Sequence, residues 1–368
     1  MMDYCISYKN RGALKANFPL RQMKRALLSL FPALCFIAAL AWGCLPIYSQ
    51  DTSHAGDDPG LERLEKEIAR LAKGAQGVVG VGAIHVETGR EVYLNKSVQF
   101  PMASTFKVPV AAKIFSLIEE GKVRLEDMMS VEAGDLRLGS GTLSNLFDDP
   151  GVKLSVLNLM KLMLLISDNS ATDLCVRVAG GTEAVTQYMR DIGIEGIRVD
   201  RPTLGIINDY LGIKGIEKDA RITQEELIEL LKKIPPEEQK KAAEAFNKDP
   251  QDTTTPEGMA LLLKKIWNRE ILSEKSSALL LDIMKRCETG KARIRGILPP
   301  GTVAYDKTGT IGGTLNDAGI ISLPDNAGTV IAAVYIKESN VDNEKREQVI
   351  AQISRALYDY FLFNPEAN

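Results

Sequence analysis

The sequence predicts an α/β protein, an α+β sandwich whose antiparallel sheet is built from both ends of the chain and flanked by helices. Strand-like stretches occur near the start, in GVVGVGAIHVETGREVYLN, and near the end, in TVAYDKTGT, AGIISLP and GTVIAAVYI. The stretch between them is largely helical in pattern. This order of elements favours one sheet with an all-helical domain inserted between its two halves.

The helices and strands are each predicted from a local pattern of apolar and turn residues. Residues 60–75 favour an amphipathic helix, because Leu64 and Ile68 repeat on one face and Gly74 ends it. A hairpin follows, with its turn at residues 87–90. The stretch LSVLNLMKLMLLI is nearly all apolar and therefore indicates a buried helix. The other predicted helices cover residues 104–120, 170–179, 182–191, 256–268, 274–286 and 343–361.

Residues 1–50 are predicted to be a signal peptide or an N-terminal anchor. Arg21, Lys24 and Arg25 precede an apolar run at 26–43, and small and polar residues follow it. An uncleaved anchor is the alternative, because the run is long enough to enter a membrane. We therefore expect a protein exported from a bacterial cytoplasm, periplasmic or extracellular, with membrane contact only through such an anchor.

The composition excludes several classes of function. Residues 51–368 hold 39 basic and 47 acidic side chains, a net charge of −8, which argues against a nucleic-acid partner. The chain has two histidines and five cysteines, too few for a zinc site, so neither a metal nor a cofactor is expected. Cys175 and Cys287 are the cysteines beyond residue 50, and whether they pair stays open.

A serine and a lysine three residues apart lie inside the apolar run MASTFKVPVAAKIF. Ser104 and Lys107 share one face of a helical turn, and a helix N-terminus favours developing negative charge near the serine. A serine nucleophile needs a base, usually a histidine. His54 lies in a polar stretch and His85 in a strand-like one, so we expect an amine base, kept partly neutral by burial and by the cation Lys307.

Two further motifs, Ser167–Asn169 and Lys307–Thr310, complete a set of three. The first follows the buried helix and the second lies on a predicted strand. Taken singly, the three motifs are explained by a capped helix with a solvated lysine, an N-cap cluster and an exposed lysine on an edge strand. Taken together and in this order, they predict one site where two helix ends meet a strand.

The three motifs resemble those of the penicilloyl-serine transferase superfamily, and most closely those of the class A serine β-lactamases. The resemblance covers roughly residues 60–361. Three further stretches are similar to that family: GSGTL at 139–143, RVDR at 198–201 and DTTTPEGM at 252–259. A family of this kind implies a serine enzyme that forms an acyl intermediate.

The resemblance implies a role for each residue of the first two motifs. Ser104 is the acylated nucleophile, and Lys107 is its proton acceptor or the hub of its hydrogen-bond network. Ser167 relays a proton to the leaving nitrogen, and Asn169 holds the amide side chain of the substrate.

The third motif is implied to bind the rest of the substrate. Lys307 and Thr308 face the substrate carboxylate, and Gly309 belongs to the same substrate-binding strand. The backbone N–H groups of Ser104 and Thr310 form the oxyanion hole.

The segment TGKARIRGILP matches the family segment in which an arginine reaches the substrate carboxylate. The match assigns this role to Arg293 and makes Arg295 a structural partner of Asp306. The alternative for Arg293 is a surface arginine on a loop.

The Ω loop departs from the family pattern in length and in chemistry. It is predicted to run from Arg201 to Asp252, joined at its neck by a salt bridge, and to contain a small helical hairpin. The family places a glutamate just after the arginine, but residues 202–204 are Pro-Thr-Leu here. Asp209 and Glu217 are the candidate substitutes, and neither is favoured.

We therefore predict a serine β-lactamase that hydrolyses the β-lactam amide through an acyl-enzyme on Ser104, acting as a monomer on a small molecule. One alternative is a penicillin-binding protein or D,D-peptidase-like enzyme. The other is a covalent binder or sensor that deacylates slowly. The predicted divisions are a catalytic domain at 51–368, its α/β part at about 60–103 and 290–361, its helical part at about 104–289 and the enlarged loop at 201–252.

Overall fold

The computed structural model of the protein describes residues 58–217 and 220–364. The predicted signal or anchor segment at 1–50 lies outside these residues. Within the described part of the chain, no helix is long and apolar enough to cross a membrane.

Nine strands are described, five of them in one antiparallel sheet with the order β2-β1-β9-β8-β7. The N-terminal strand β1 pairs along its whole length with the C-terminal strand β9, so the sheet is built from both ends of the chain as predicted. The strands are β1 (Val78–His85), β2 (Glu91–Leu94), β3 (Phe100–Pro101), β4 (Met128–Ser130), β5 (Lys153–Ser155), β6 (Thr253–Thr254), β7 (Ala304–Ile311), β8 (Thr314–Ser322) and β9 (Thr329–Lys337).

The described helices fall into two groups, those that cover the sheet and those of the inserted domain. Their bounds are α1 (Pro59–Ala72), α2 (Lys107–Glu119), α3 (Leu143–Leu146), α4 (Val156–Leu165), α5 (Asn169–Val178), α6 (Thr182–Asp191), α7 (Thr203–Leu211), α8 (Gln224–Leu231), α9 (Pro236–Phe246), α10 (Pro256–Trp267), α11 (Glu274–Lys285) and α12 (Asn343–Phe363).

The sheet is buried on both faces, and strand β1 shows how its sequence allows this. Val79 and Val81 point into a core shared with α1 and α12. The alternate positions Gly80 and Gly82 face Pro256 at the start of α10, where an added Cβ would lie within 2.7 Å and 2.4 Å of proline atoms. Side chains alternate between the faces of a strand, so these glycines let α10 approach closely.

The inserted domain surrounds α2, which is buried over most of its length and packs on α4, α5, α6 and α11. It also contains two small two-stranded sheets, β3–β6 and β4–β5, which the sequence analysis does not predict. Cys175 and Cys287 are both buried and unpaired. The core of this domain therefore needs no disulfide between them.

The enlarged loop contains the predicted helical hairpin, α8 and α9, with a capping box between Thr223 and Glu226. It also contains α7, which the sequence analysis does not predict. No side chain beside α7 caps it; instead the carboxylate of Asp173 accepts hydrogen bonds from the N–H groups of Thr203 and Leu204, at 2.6 and 3.2 Å. A cap supplied from thirty residues earlier leaves no local signal.

The neck of the enlarged loop is closed by Arg201, as predicted. Its Nε lies 2.6 Å from the carboxylate of Asp252, and its NH1 contacts Asp249 at 2.8 Å and Asp209 at 2.5 Å. Arg201 and Asp252 are buried, and the N–H groups of Asp200 and Arg201 also donate to Asp252. The neck is thus a charge cluster around the buried Arg201–Asp252 pair, and Arg201 NH2 has no hydrogen-bond partner among the described residues.

We expect Arg201→Ala to lower the free energy of unfolding by about 3–5 kcal/mol, because it leaves the buried Asp252 carboxylate without its cation. Arg198→Ala is the matched control, since the Arg198 side chain is 39% exposed and pairs with Asp200 at the surface. It should cost about 1 kcal/mol or less. Urea unfolding of both variants measures the difference, and equal losses would contradict the account of the neck.

Candidate active site

A cavity of about 460 Å³ lies where β7, at the edge of the sheet, meets the helical domain and α7. Its size is typical of small-molecule sites. Of the residues predicted for the site, six line this cavity: Ser104, Ser167, Asn169, Arg293, Thr308 and Thr310. Lys107 and Lys307 are completely buried, and the amines of both contact the hydroxyl of Ser167.

Ser104 lies on a short 3₁₀ turn, Ala103–Phe106, that leads directly into α2. Ala103 before it has a φ of 45°, a left-handed conformation that non-glycine residues seldom adopt. Strand β7 passes very close at Gly309, where an added Cβ would lie 2.6 Å from the carbonyl oxygen of Met102 and 3.1 Å from the nitrogen of Ser104. Glycine at this position therefore lets β7 lie against the backbone of Ser104.

Ser167 is held in an unusual backbone conformation between α4 and α5. Its φ of 60° is left-handed, and the next residue, Asp168, fixes the turn. The Asp168 carboxylate accepts hydrogen bonds from the N–H groups of Ala171, Thr142 and Leu143, at 2.8, 2.6 and 2.9 Å. Asp168 is thus the N-cap of α5, in agreement with the N-cap cluster that the sequence favours. The turn that it stabilises places Ser167 and Asn169 in the cavity lining.

The Ser167 hydroxyl lies between two lysine amines. Lys107 Nζ and Lys307 Nζ are each 3.0 Å from Ser167 Oγ. Lys107 Nζ also contacts the carbonyl oxygen of Ser167 at 2.7 Å and Asn169 Oδ1 at 3.1 Å. Lys307 Nζ donates its other hydrogen bond to the carbonyl oxygen of Thr308, at 2.8 Å.

The contacts of these amines fit one charged and one neutral lysine. Ser167 has one hydroxyl proton, so it can accept from a Lys307 ammonium while donating to a neutral Lys107 amine. Lys107 then donates its two remaining hydrogens to the two carbonyl oxygens. Burial and the Lys307 cation lower the pKa of Lys107 well below its ordinary value, whereas burial lowers the pKa of Lys307 to about 8.

Lys107 makes no hydrogen bond to the Ser104 hydroxyl in the described structure, because its contacts all go to Ser167 and Asn169. The amine is the hub of this hydrogen-bond network and has no direct contact with the Ser104 hydroxyl. Catalytic hydrogen bonds in unliganded sites are often long and shorten when substrate binds.

Arg293 lines the cavity and also braces the sheet. Its guanidinium donates to the carbonyl oxygens of Gly309 and Asn316 at 3.2 and 2.9 Å, donates to Thr310 Oγ1 at 2.8 Å, and pairs with Glu347 at 3.0 Å. It is buried, so it is not the surface arginine of the alternative interpretation. Removing it would disturb the strands as well as the cavity.

Arg295 lies outside the cavity lining and forms the predicted ion pair with Asp306. The same guanidinium donates to the carbonyl oxygen of Ala304 at 3.0 Å. The pair therefore ties the segment before β7 to the strand.

The beta-lactamase enzyme family model matches residues 63–361 of the chain. The chain belongs to this family. It is 26% identical over 306 residues to the extended-spectrum beta-lactamase PER-1 of Pseudomonas aeruginosa, covering 81% of this chain and 87% of that protein. With beta-lactamase SME-1 of Serratia marcescens it shares 29% identity, with coverages of 79% and 86%.

A solved structure agrees with the class as well as the fold. The class A beta-lactamase of the last common ancestor of Gram-negative bacteria is 30% identical and superimposes with a TM-score of 0.66, covering 81% of this chain and 99% of that one. The resemblance to the class A serine β-lactamases is thus confirmed.

Within this β-lactamase fold, the cavity is also lined by polar residues that the three motifs do not predict. Thr289 Oγ1 lies 2.6 Å from Thr308 Oγ1, and Ser140 Oγ donates to the carbonyl oxygen of Ser167 at 2.8 Å. Ser140 belongs to GSGTL and Thr289 opens TGKARIRG, so both lie in stretches already marked by the resemblance. Tyr210 was not marked, because α7 was not predicted.

The cavity of this β-lactamase has no carboxylate, imidazole or thiol among the described residues that line it. Thr203 occupies the wall where a glutamate was expected, and its buried hydroxyl has no hydrogen-bond partner in the described part of the chain. Asp209 is paired with Arg201, and Glu217 is exposed; neither lines the cavity. Neither candidate substitute therefore places a carboxylate in the described cavity lining.

We expect the rate constant for acylation by a penicillin to rise with pH as Lys107 loses its proton, and to fall above about pH 8 as Lys307 loses the charge that attracts the substrate carboxylate. Stopped-flow rates between pH 5 and 10 measure the profile. In Lys307→Arg the alkaline fall should move to higher pH, since a guanidinium stays charged. A flat profile in the wild type would contradict this assignment of charges.

Proposed function

We propose that the protein is a serine β-lactamase that opens the β-lactam ring by acylation of Ser104. The observation that carries the proposal is the Ser167 hydroxyl held between two buried lysines, in the cavity that Ser104 lines. A neutral amine next to a relay hydroxyl can take a proton from the nucleophile and return it to the leaving group. The family and its named relatives support the same reaction class.

Acylation uses the chain's own groups at each step. Ser104 Oγ attacks the β-lactam carbonyl carbon while its proton passes to neutral Lys107. The N–H groups of Ser104 and Thr310 stabilise the oxyanion. The C–N bond then breaks, and the ring nitrogen receives the Ser167 hydroxyl proton as Lys107 restores it. Lys107 is again neutral, and Ser104 carries an ester.

The polar wall of the cavity supports recognition of an anionic substrate. Lys307 supplies a positive charge, and Thr308 and Thr310 offer hydroxyl groups at its side. Arg293, which is itself paired with Glu347, holds the Thr310 hydroxyl at 2.8 Å. A carboxylate bound here would receive charge-assisted hydrogen bonds. Asn169, whose Nδ2 uses one bond on the carbonyl oxygen of Leu138, keeps a second N–H for the substrate amide.

A slowly deacylating covalent binder is the second candidate, and one observation favours it. Hydrolysis of the ester needs a base for the attacking water, and no carboxylate lines the described cavity. General-base catalysis contributes roughly two to four orders of magnitude. The ester should therefore form readily and break down slowly. The lactamase and binder proposals share acylation and differ in the rate of this last step.

Mass spectrometry of the intact protein, followed over time with benzylpenicillin, should show one adduct on Ser104 with the full mass of the penicillin. This adduct should persist much longer than one catalytic cycle of a fast enzyme. Ser104→Ala should form none, because it lacks the nucleophile. Ser116→Ala, a serine of α2 outside the cavity lining, is the matched control and should retain the adduct. Label on another residue, or no label in the wild type, would refute acylation of Ser104.

The same experiment separates the two candidates through the enlarged loop. Thr203→Glu places a carboxylate in the cavity wall and should shorten the life of the adduct at least tenfold, while Thr203→Gln should not. Rapid, burst-free turnover by the wild type would show that the water is activated without a loop carboxylate. Lys107 would then be the remaining base in the site.

We also propose that residues 1–50 export the protein from a bacterial cytoplasm. The basic and apolar run at 21–43 supports this, with cleavage near residue 50 or retention as an anchor as the two outcomes. N-terminal sequencing of the protein from periplasmic, membrane and cytoplasmic fractions should find it outside the cytoplasm. A soluble cytoplasmic form that keeps residue 1 or 23 as its N-terminus would refute export.

A further inference from the structure

The cavity has two walls of different chemistry. The wall from β7 and the segment before it carries hydroxyl groups and the cation Arg293. The wall from α7 begins with Thr203 and continues with Ile206, Ile207, Tyr210 and Leu211. A β-lactam has a carboxylate on its ring system and an acylamino side chain beyond it. Because the carboxylate matches the cationic wall, the side chain is left to meet the wall from α7.

Tyr210 joins the α7 wall to the end of β7. An added Cβ on Gly312, in the turn between β7 and β8, would lie 2.6 Å from the Tyr210 hydroxyl oxygen and 2.8 Å from its ring. Gly312 has a φ of 52°, and its carbonyl oxygen accepts a hydrogen bond from Arg346 NH1 at 3.0 Å. The tyrosine thus abuts a turn whose backbone is held from another side.

The inserted hairpin holds the Tyr210 ring in this place. Phe246 at the end of α9 packs edge-on against it, with the ring centroids 5.7 Å apart. The guanidinium of Arg201, at the neck, lies 5.6 Å from the centre of the Phe246 ring. At the end of α7, an added Cβ on Gly212 would be 3.1 Å from Cβ of Ala242. Tyr210 is therefore supported by α9 and by the neck of the enlarged loop.

We propose that Tyr210 is a specificity-determining residue, which closes the cavity between α7 and the β7–β8 turn and limits the acyl side chain of the substrate to compact apolar groups. The inference rests on the proposed function. Two properties of the α7 wall lead to it. The contact at Gly312 removes the space into which a long side chain would extend. Beside Tyr210 the wall consists of Ile206, Ile207 and Leu211, which offer no hydrogen bonds, so a polar group placed there would lose its water without compensation.

Two penicillins that share one nucleus and one carboxylate test this directly. Benzylpenicillin has a compact aryl side chain, and piperacillin has a long, polar, branched one. The second-order rate constant for acylation is measured for both, and the readout is the ratio of piperacillin to benzylpenicillin. We expect a ratio well below one in the wild type and a similar ratio in Tyr210→Phe, because phenylalanine keeps the aromatic ring at this position. In Tyr210→Ala the ratio should rise at least tenfold.

Leu230→Ala is the matched control for general loosening. Leu230 packs in the small core of the enlarged loop and does not line the cavity, so its truncation weakens the insert without opening the wall. Its ratio should stay within about threefold of the wild-type ratio. An unchanged ratio in Tyr210→Ala would overturn the proposal. An equal rise in Leu230→Ala would overturn it as well, since loosening alone would then explain the effect.

The outcomes also separate this inference from the proposed function. If neither penicillin acylates the wild-type protein, the proposed function fails. If both acylate Ser104 and the ratio does not respond to Tyr210→Ala, the proposed function stands and the role of Tyr210 is wrong. If Tyr210→Ala unfolds, the double variant Tyr210→Leu with Phe246→Leu replaces it, because it keeps an apolar contact but has a shorter side chain at position 210. The proposal then requires the same rise in the ratio of piperacillin to benzylpenicillin in this double variant.

Discussion

The Ser167 hydroxyl lies between two lysine amines with no exposure to solvent, and the arrangement of the site depends on this contact. Burying two cations side by side costs several kcal/mol per ion unless they are paired or neutralised. Lys107 hydrogen-bonds no carboxylate among the described residues. Loss of its proton is the change that removes this cost, and in the proposed mechanism it also provides a base for Ser104. The repulsion between two adjacent buried amines thus favours the neutral form of Lys107, which is the form that the proposed acylation requires.

Such a contact persists only if the surrounding backbone fixes it. Lys107 is the first residue of α2, its side chain is completely buried, and it cannot swing into water. Lys307 lies on the edge strand β7, where a lysine would ordinarily be solvated, but α11 and the turn that carries Ser104 cover this edge. Ser167 is held in a left-handed conformation between two helices. Three separate elements therefore position one hydrogen-bonded group.

Much of the fold follows from local patterns in the sequence. The apolar runs of β1 and β9 and the apolar periodicity of the helices are local, and they predict the sheet from both ends and most helices. Helix α7 is different, since Asp173 caps it from a distant part of the chain. The small sheets β3–β6 and β4–β5 are too short to leave a periodic pattern. The elements that the sequence does not predict are thus those stabilised mainly by tertiary contacts.

The sequence likewise predicts some features of the site and not others. The motifs predict which residues meet, because serine, lysine and asparagine in that order resemble a known family. They do not predict that Lys107 contacts Ser167 instead of Ser104, or that Arg201 engages Asp209 and so removes it as a candidate base. Nor do they identify Thr289 or Tyr210, whose roles come from partners remote in sequence. These features depend on three-dimensional distances that spacing along the chain does not encode.

The central claim is that one of the two buried lysines is neutral at neutral pH. The most direct measurement is NMR of the side-chain nitrogens in ¹⁵N-lysine-labelled protein, with Lys107 and Lys307 assigned through their arginine variants and titrated from pH 5 to 10. The account predicts that the Lys107 amine loses its proton at lower pH than the Lys307 amine, which titrates near pH 8. Two amines that both remain charged up to pH 10 would contradict it.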